Sequence, residues 1–169
     1  MWNDTDTPLA FLISFRCYGT WLHGDERGSM DRHNNKYGNP KYQATEHWNI
    51  ISKDRLTQPP VRLDAQRRSI VERAIRNVCH KRGWSLYAVH VRTNHGHTVV
   101  ANAGKKPEQM LNAFKANATR EMREAGVWNS DRSPWADKGS ERWLWTDKHV
   151  SDAVEYVVNG QGYDLPRFE

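Results

Sequence analysis

The stretch that decides the fold is residues 84–101, which read WSLYAVHVRTNHGHTVVA. Residues 84–91 alternate between apolar and polar side chains, and residues 97–101 form a second short apolar run. Both patterns are typical of β-strands, and only the five residues 92–96 separate them. Two strands joined by so short a connection predict an antiparallel hairpin in the middle of the chain.

Helical patterns flank this hairpin on both sides. Residues 62–82 carry apolar side chains at i, i+3 and i+4 spacing, and Gly83 follows as a residue suited to ending a helix. Residues 107–124 begin with Pro107, which fits the first turn of a helix, and continue with an apolar stripe. The hairpin is therefore expected to lie between two amphipathic helices.

Two further strands and one helix complete the predicted pattern. Residues 9–17 form an apolar, aromatic run, and residues 143–145 form a shorter one. A helix is expected over residues 151–159, with Ser151 as its N-cap. The order strand, helix, strand, strand, helix, strand, helix is the ferredoxin-like βαββαβ pattern with an added C-terminal helix. We therefore predict an α+β fold built on an antiparallel sheet.

Residues 19–61 separate the first predicted strand from the first predicted helix. They are rich in glycine, asparagine, histidine, aspartate and lysine, and they contain three prolines. We expect them to form a long irregular loop within a single domain that covers residues 1–169. Because a loop of this length is unusual in a compact domain, a functional role is expected for it.

The composition favours a nucleic-acid partner only modestly. The chain has 25 Lys and Arg against 20 Asp and Glu, a net charge of +5, which suits a polyanionic partner but also plain solubility. The eight Trp either build a core or stack on bases. Two cysteines without a C-x-x-C pair argue against a structural zinc site. With no recognisable signal peptide and no membrane-length apolar run, we expect a cytoplasmic protein.

The most specific feature of the sequence is the pair His95 and His97. Side chains two positions apart in a strand point to the same face, so the two imidazoles are expected side by side. Imidazole binds Mn²⁺, Zn²⁺ or Ni²⁺ well and suits Mg²⁺ less. Two ligands do not complete a metal site, however, and the pattern alone fits two polar residues at the end of a strand equally well.

The surroundings of this pair resemble the central motif of the single-tyrosine HUH transposases. This superfamily includes small insertion-sequence transposases and the REP-associated tyrosine transposases. Its motif is an Asn followed by His-hydrophobe-His, which Asn94, His95 and His97 match. Val99 and Val100 supply the apolar strand that follows in the superfamily.

A second stretch, residues 143–161, resembles the superfamily's aromatic strand and the helix that bears its nucleophilic tyrosine. Tyr156 takes the position of that tyrosine. Two glycines depart from the pattern. Gly96 stands where the superfamily has a hydrophobic residue, so the packing is expected to weaken without loss of a ligand. Gly160 stands where the superfamily has the Gln or Asn that completes the metal site.

The resemblance implies a reaction and a cofactor. The enzyme is expected to cleave single-stranded DNA near a hairpin, and to rejoin strands, through a 5′-phosphotyrosine intermediate on Tyr156. A divalent ion, Mg²⁺ or Mn²⁺, is expected on His95 and His97. Because Gly160 lacks a side chain, Gln161 is the first candidate for the third ligand and Asn159 is the second.

The resemblance also implies a DNA partner. Basic side chains are expected to position the DNA backbone, and aromatic ones to stack on unpaired bases. The residues expected to contact DNA are Arg16, Arg27, Arg32, Arg92, Lys115, Arg120, Trp21 and Trp48. Members of the superfamily occur as homodimers with exchanged tyrosine helices and as monomers, and the sequence leaves both arrangements open.

Other functions compete with this interpretation. The first is a domesticated relative that binds DNA hairpins without cleaving them, which Gly96 and Gly160 favour. The second is a phosphoesterase with two separated His-x-Thr or His-x-Ser motifs, and residues 95–98 do not supply the first of these. The third is an RNA-binding domain, whose aromatic residues on two central strands are absent at the expected spacing.

Overall fold

The computed structural model describes residues 6–20, 56 and 58–167 of the chain. The described elements, in chain order, are β1 (Ala10–Arg16), α1 (Ala65–Arg82), β2 (Leu86–Val91), β3 (His95–Ala101), α2 (Pro107–Glu124), β4 (Ser140–Leu144) and α3 (Asp147–Asn159). Strands and helices follow one another in the predicted order.

The strands form one antiparallel sheet in the order β2-β3-β1-β4. β2 and β3 are the predicted hairpin, and β1 lies between β3 and β4. This arrangement confirms the predicted α+β, ferredoxin-like fold with an added C-terminal helix. Its register sets Ser14 opposite His97 and Arg16 opposite His95, so residues from the first strand are brought beside the histidine pair.

One face of the sheet, here called the helix face, is covered by α1 and α2. From β1 it includes Phe11, Ile13 and Phe15, all of which are buried. Ile75 of α1 and Phe114 of α2 pack into the same core. Each fully buried apolar side chain of this size contributes roughly 1.5–3 kcal/mol to the free energy of unfolding, so this core is the main stabilising element.

The opposite face, here called the site face, carries a smaller core under α3. Ala10 and Leu12 of β1 and Val99 of β3 are buried there against Ala153 and Val157 of α3. These residues occupy only one end of the face. The other end carries polar side chains, because the alternation of β1 and β3 continues with serine, arginine and histidine in place of apolar residues.

Local signals explain where α1 begins and ends. The Asp64 side chain accepts a hydrogen bond from the backbone N–H of Arg67, which is a typical N-cap. Gly83 ends the helix with φ of 69°, a left-handed conformation that glycine adopts without steric cost.

None of the described helices is long and apolar enough to cross a membrane.

The start of α3 differs from the prediction. The helix begins at Asp147, and its N-cap is Thr146, whose side chain accepts a hydrogen bond from the backbone N–H of His149. Ser151, the predicted N-cap, lies inside the helix. Both residues are of types that cap helices. The first turn was missed because its residues are polar and the apolar stripe starts only at Val150.

Two strands also differ in length from the prediction. β3 begins at His95 and not at residue 97, because pairing with β1 continues through the histidine motif. β4 covers Ser140–Leu144, whereas residues 143–145 were predicted, because its polar half also pairs with β1. Of the predicted loop at 19–61, residues 21–55 and 57 lie outside the described residues.

Candidate active site

His95 and His97 lie side by side on the site face, as the strand spacing predicts. Their ring centroids are 5.0 Å apart. His97 is only 3% exposed, whereas His95 is partly exposed. One imidazole is therefore buried at the edge of the core under α3, and the other faces the open end of the sheet.

Each of the two rings is oriented by a hydrogen bond at Nδ1. Asn94 Oδ1 lies 2.7 Å from His95 Nδ1, and because an amide oxygen only accepts, this imidazole donates from Nδ1. Ser14 Oγ lies 2.6 Å from His97 Nδ1. Partners of this kind fix the tautomer and orientation of metal-binding histidines. A cation would then be bound through the Nε2 atoms, of which that of His97 is buried.

Tyr156 lies next to this pair within the same chain. Its ring centroid is 5.3 Å from that of His97, and the planes are inclined at 66°. Its neighbour Val157 is fully buried, but Tyr156 itself is 42% exposed. Helix α3 thus holds the tyrosine with one side against His97 and the other side exposed to solvent.

The two candidates for a third ligand lie at the end of α3. Gln161 donates from its amide nitrogen to the backbone oxygen of Tyr156, at 2.9 Å. Asn159 donates to the carboxylate of Glu155, also at 2.9 Å. Since amides bind cations through oxygen, these bonds orient the side chains without using the relevant atom. The role of either residue as a ligand stays a prediction.

The donors present fit one part of a divalent-metal site. The two imidazoles, each held at Nδ1, fit a transition-metal ion such as Mn²⁺ better than they fit Mg²⁺, which prefers oxygen ligands. Within the described parts of the chain, no group of three or more His, Cys, Asp or Glu residues could hold a metal ion. The His pair is thus not completed by a further His, Cys, Asp or Glu within the described ranges.

Gly160 has a steric reason for being glycine. A Cβ atom there would lie 2.7 Å from the backbone oxygen of Tyr156 and 3.1 Å from Cδ2 of its ring. Any side chain at 160 would displace the helix turn that carries the tyrosine. The position at which the superfamily has a metal-binding side chain is therefore a glycine here, because the backbone of Tyr156 lies too close for a side chain.

Gly96 does not leave the expected packing defect. Its missing side chain makes room for the ring of Phe15, the register partner on β1. A Cβ atom at 96 would overlap Cζ of that ring and lie 3.0 Å from two further ring atoms. Phe15 also packs edge-on against Trp135, at a centroid distance of 5.3 Å. The expectation of weakened packing was wrong, because an aromatic ring from β1 fills the space.

Two of the predicted DNA-contacting residues lie near the histidine pair. Arg16 is the register partner of His95 and shares its face of the sheet. Burial lowers the pKa of Arg16 from its ordinary value, but a guanidinium stays protonated at neutral pH. Arg92, just after β2, donates from Nη1 to the backbone oxygen of Tyr163 at 2.7 Å. Contact of either residue with DNA stays a prediction.

Two others lie on α2, on the opposite side of the sheet from the histidine pair. The Lys115 ammonium donates to the backbone oxygens of Ala136 and Lys138, and burial lowers its pKa. Arg120 hydrogen-bonds Asn117 and lies 3.8 Å from the Glu124 carboxylate. Neither cation lies on the site face, although the charge of Arg16 acts on Lys115. The remaining predicted contacts lie outside the described residues: Arg27, Arg32, Trp21 and Trp48.

The sequence did not single out Ser14 or His90 as residues of the site. Both are register partners of His97, Ser14 on β1 and His90 on β2. Ser14 is 83 positions away from His97 along the chain, so no local pattern connects them. Only the strand register shows that these three side chains form a row across the site face.

The fold and the site geometry can be set beside known proteins. No curated protein matches the sequence. A solved structure, described as a REP-associated tyrosine transposase bound to a REP hairpin, aligns with a TM-score of 0.48 at 10% identity. The alignment covers 93% of this chain and 67% of that one. The family model for IS200-like transposases matches residues 42–159, more than half of the chain, and the protein therefore belongs to the IS200-like transposase family.

Proposed function

We propose that the protein is a metal-dependent single-strand DNA endonuclease that cleaves near hairpins and rejoins strands, with Tyr156 as its nucleophile. The observation that carries the proposal is the position of the Tyr156 ring, 5.3 Å from that of His97. A tyrosine this close to one of two oriented imidazoles, and still 42% exposed, is open to a DNA phosphate. Membership of the IS200-like transposase family supports DNA as the substrate.

The proposed step is an in-line displacement at phosphorus. Tyr156, which is partly exposed, gives up its hydroxyl proton to solvent, and its oxygen attacks the phosphorus atom. The bond from phosphorus to the 3′ oxygen breaks, and that oxygen takes up a proton to become a free 3′-OH. The 5′ phosphate stays linked to the tyrosine. Attack by the 3′-OH of another strand reverses the step with equal bonds made and broken, so strand transfer needs no nucleotide cofactor.

His95 and His97 would hold the divalent ion, Mg²⁺ or Mn²⁺, through Nε2. When bound, such an ion neutralises charge on the non-bridging phosphate oxygens and favours attack. Ser14 and Asn94 keep the two rings in the orientation that this requires. Gln161 is the first candidate for the third ligand, since its bond to the Tyr156 backbone keeps it at the end of α3, and Asn159 is the second.

The proposed partner is single-stranded DNA with a hairpin. Arg16 is the strongest candidate for a backbone contact, because it shares a sheet face with His95. Arg92 is the second candidate, since it lies where β2 ends. One copy of the chain contributes both histidines and Tyr156, so a monomer suffices for these residues, and a homodimer stays a prediction.

A hairpin-binding protein without cleavage activity is the second candidate function. It is favoured by the absence, among the described residues, of any cluster of three metal-binding side chains. Gly160 also favours the binding function, because the backbone of residue 160 lies so close to Tyr156 that it leaves no room for a metal-binding side chain. Both functions predict hairpin binding, so only a cleavage assay distinguishes them.

The test is the formation of a covalent adduct on labelled single-stranded hairpins, with Mg²⁺ or Mn²⁺. We expect wild type to form an adduct that a chelator prevents and that Tyr156→Phe and His95→Ala abolish. Tyr163→Phe is the matched control, since Tyr163 is 94% exposed beyond the helix and its loss should leave the yield unchanged.

Two results would overturn the proposal. An adduct that persists in Tyr156→Phe would assign the nucleophile to another residue. Hairpin binding by wild type without an adduct, over a broad set of oligonucleotides and both metals, would favour the binding function instead.

A further inference from the structure

His90 is a polar residue on β2 that lies outside both sequence motifs. It is the register partner of His97, so its side chain is on the site face. Its Nδ1 atom lies 2.9 Å from the backbone oxygen of Val157. Val157 directly follows Tyr156 in α3, and its own side chain is fully buried. A side chain of the sheet thus bonds the backbone of the helix that carries the tyrosine.

The direction of this hydrogen bond follows from its acceptor. A backbone oxygen only accepts, so the imidazole donates from Nδ1. The last four carbonyl groups of a helix have no partner within the helix, and Val157 lies in the last turn of α3, which ends at Asn159. His90 therefore caps a carbonyl that the helix itself does not satisfy.

The carbonyl group of Tyr156, next to that of Val157, is hydrogen-bonded within the helix end and not by the sheet. The backbone oxygen of Tyr156 accepts from the backbone N–H of Gly160 and from the Gln161 amide, both at 2.9 Å. Those two bonds keep the last turn closed, but both donors belong to the same end of the helix. The bond from His90 joins that turn to the sheet, at the strand position opposite His97.

We propose that His90 is a positioning residue for the cleavage reaction: its bond to Val157 fixes the last turn of α3 over the histidine pair and so sets the distance from Tyr156 to the phosphate. The inference rests on the proposed function. Because a displacement of about 1 Å can lower a rate by about 100-fold, a single bond at this turn has a large effect on chemistry and a small one on DNA binding.

Two other roles for His90 are less consistent with its contacts. As a third metal ligand it would form a cluster with His95 and His97, and no cluster of three such residues occurs in the described ranges. As a core residue it would be buried, but His90 is only partly buried. The bond to Val157 explains a polar side chain at this position.

The test compares two substitutions at the same position. His90→Asn keeps an amide N–H close to the place of Nδ1, whereas His90→Leu removes the donor at similar volume. We expect His90→Leu to lower the single-turnover rate of adduct formation at saturating hairpin by about tenfold or more. Its Kd for the hairpin should stay within about twofold of wild type, and His90→Asn should recover most of the rate.

A purely structural role would not produce this division between rate and binding. Equal rates for His90→Leu and wild type would overturn the inference, and so would equal losses in His90→Leu and His90→Asn. If His90→Leu does not fold, His90→Gln replaces it, since its amide is placed near Nε2 and does not reach the Val157 oxygen.

A second measurement does not depend on cleavage. Nitrogen chemical shifts of the His90 ring should show a proton on Nδ1 in the wild-type protein, and a proton on Nε2 alone would contradict the inference. If wild type has the Nδ1 proton but forms no adduct, the proposed function fails. If wild type forms the adduct but lacks the Nδ1 proton, the positioning role alone fails. The two failures are therefore distinguishable.

Discussion

The two faces of the four-stranded sheet differ in the side chains that they carry. The helix face is apolar along the whole of β1, where Phe11, Ile13 and Phe15 are all buried. The site face is apolar only under α3 and becomes polar from Ser14 onwards. Because side chains alternate along a strand, one set of β1 residues packs into the core and the other set contributes to the polar site.

This difference indicates how a rigid site is built from few residues. The side chains at the polar end are held by strands whose other face is sealed by α1 and α2. Phe15 and Gly96 form the contact that links the two functions, since the first packs into the core and the second lies between His95 and His97. Changes on the helix face should therefore alter stability, and changes at the polar end of the site face should alter metal binding or catalysis.

The largest effect on stability is expected for Gly96→Val, which restores the hydrophobic residue of the superfamily motif. The new side chain would overlap the buried Phe15 ring, and overpacking of this kind costs about 1–3 kcal/mol. Chemical denaturation of both proteins would measure the loss. A matched Phe15→Leu, Gly96→Val double variant should recover part of the lost stability, because leucine leaves room for the valine side chain. Equal stability of Gly96→Val and wild type would contradict the packing described here.

A smaller effect, confined to metal binding, is expected for Ser14→Ala. The variant loses the 2.6 Å bond to His97 Nδ1, and loss of such a partner typically lowers metal affinity by about 10–100-fold. Calorimetric titration with Mn²⁺ would measure the Kd. Ser14→Thr keeps the hydroxyl and is the control. An unchanged Kd in Ser14→Ala, with His97→Ala abolishing binding, would show that the serine does not orient the ligand.

The smallest effect concerns Cys17, which lies on the helix face beside Arg16 of the site face. Burial raises the pKa of its thiol to about 12, and the charge of Arg67 offsets this only in part. We expect no reaction with an aromatic disulfide reagent at pH 8 in the native protein and full reaction in denaturant. Rapid labelling of Cys17 without unfolding would contradict its burial.

The same shift predicts how stability depends on pH. An unfolded thiol has a pKa near 8.5, whereas burial raises the pKa of the folded Cys17 thiol to about 12. The contribution of Cys17 is thus fully present below pH ~8.5 and is lost as the pH rises towards the folded pKa. Cys17→Ala should show a weaker decline in the free energy of unfolding over this range than wild type.

Much of the fold was predictable because its signals are local. The alternation of residues 84–91 and the apolar stripes of α1 and α2 depend only on neighbouring residues. The side-by-side placement of His95 and His97 follows from strand geometry in the same way. The nearness of Tyr156 to His97 did not follow from any local pattern and came from the resemblance to the HUH transposases.

The rest depends on contacts between distant parts of the chain. Ser14, Phe15 and His90 acquire their roles only through strand register, which the sequence does not display. The start of α3 was missed for a different reason, because Thr146 and Ser151 are both acceptable N-caps and only the packing of the helix decides between them. Long-range pairing and competing local signals were therefore the two sources of error.

The central position of β1 has a consequence for how the site comes into being. Ala10 pairs with Ala101 on one side and with Leu144 on the other. β1 is therefore synthesised well before the two strands that it pairs with. Contacts between residues so far apart in sequence slow folding. On the ribosome, Ser14 emerges well before His97, and His97 well before Tyr156. A nascent chain is therefore unable to bring Tyr156 to the histidine pair until α3 has left the exit tunnel, so the proposed site forms only after translation has passed that helix.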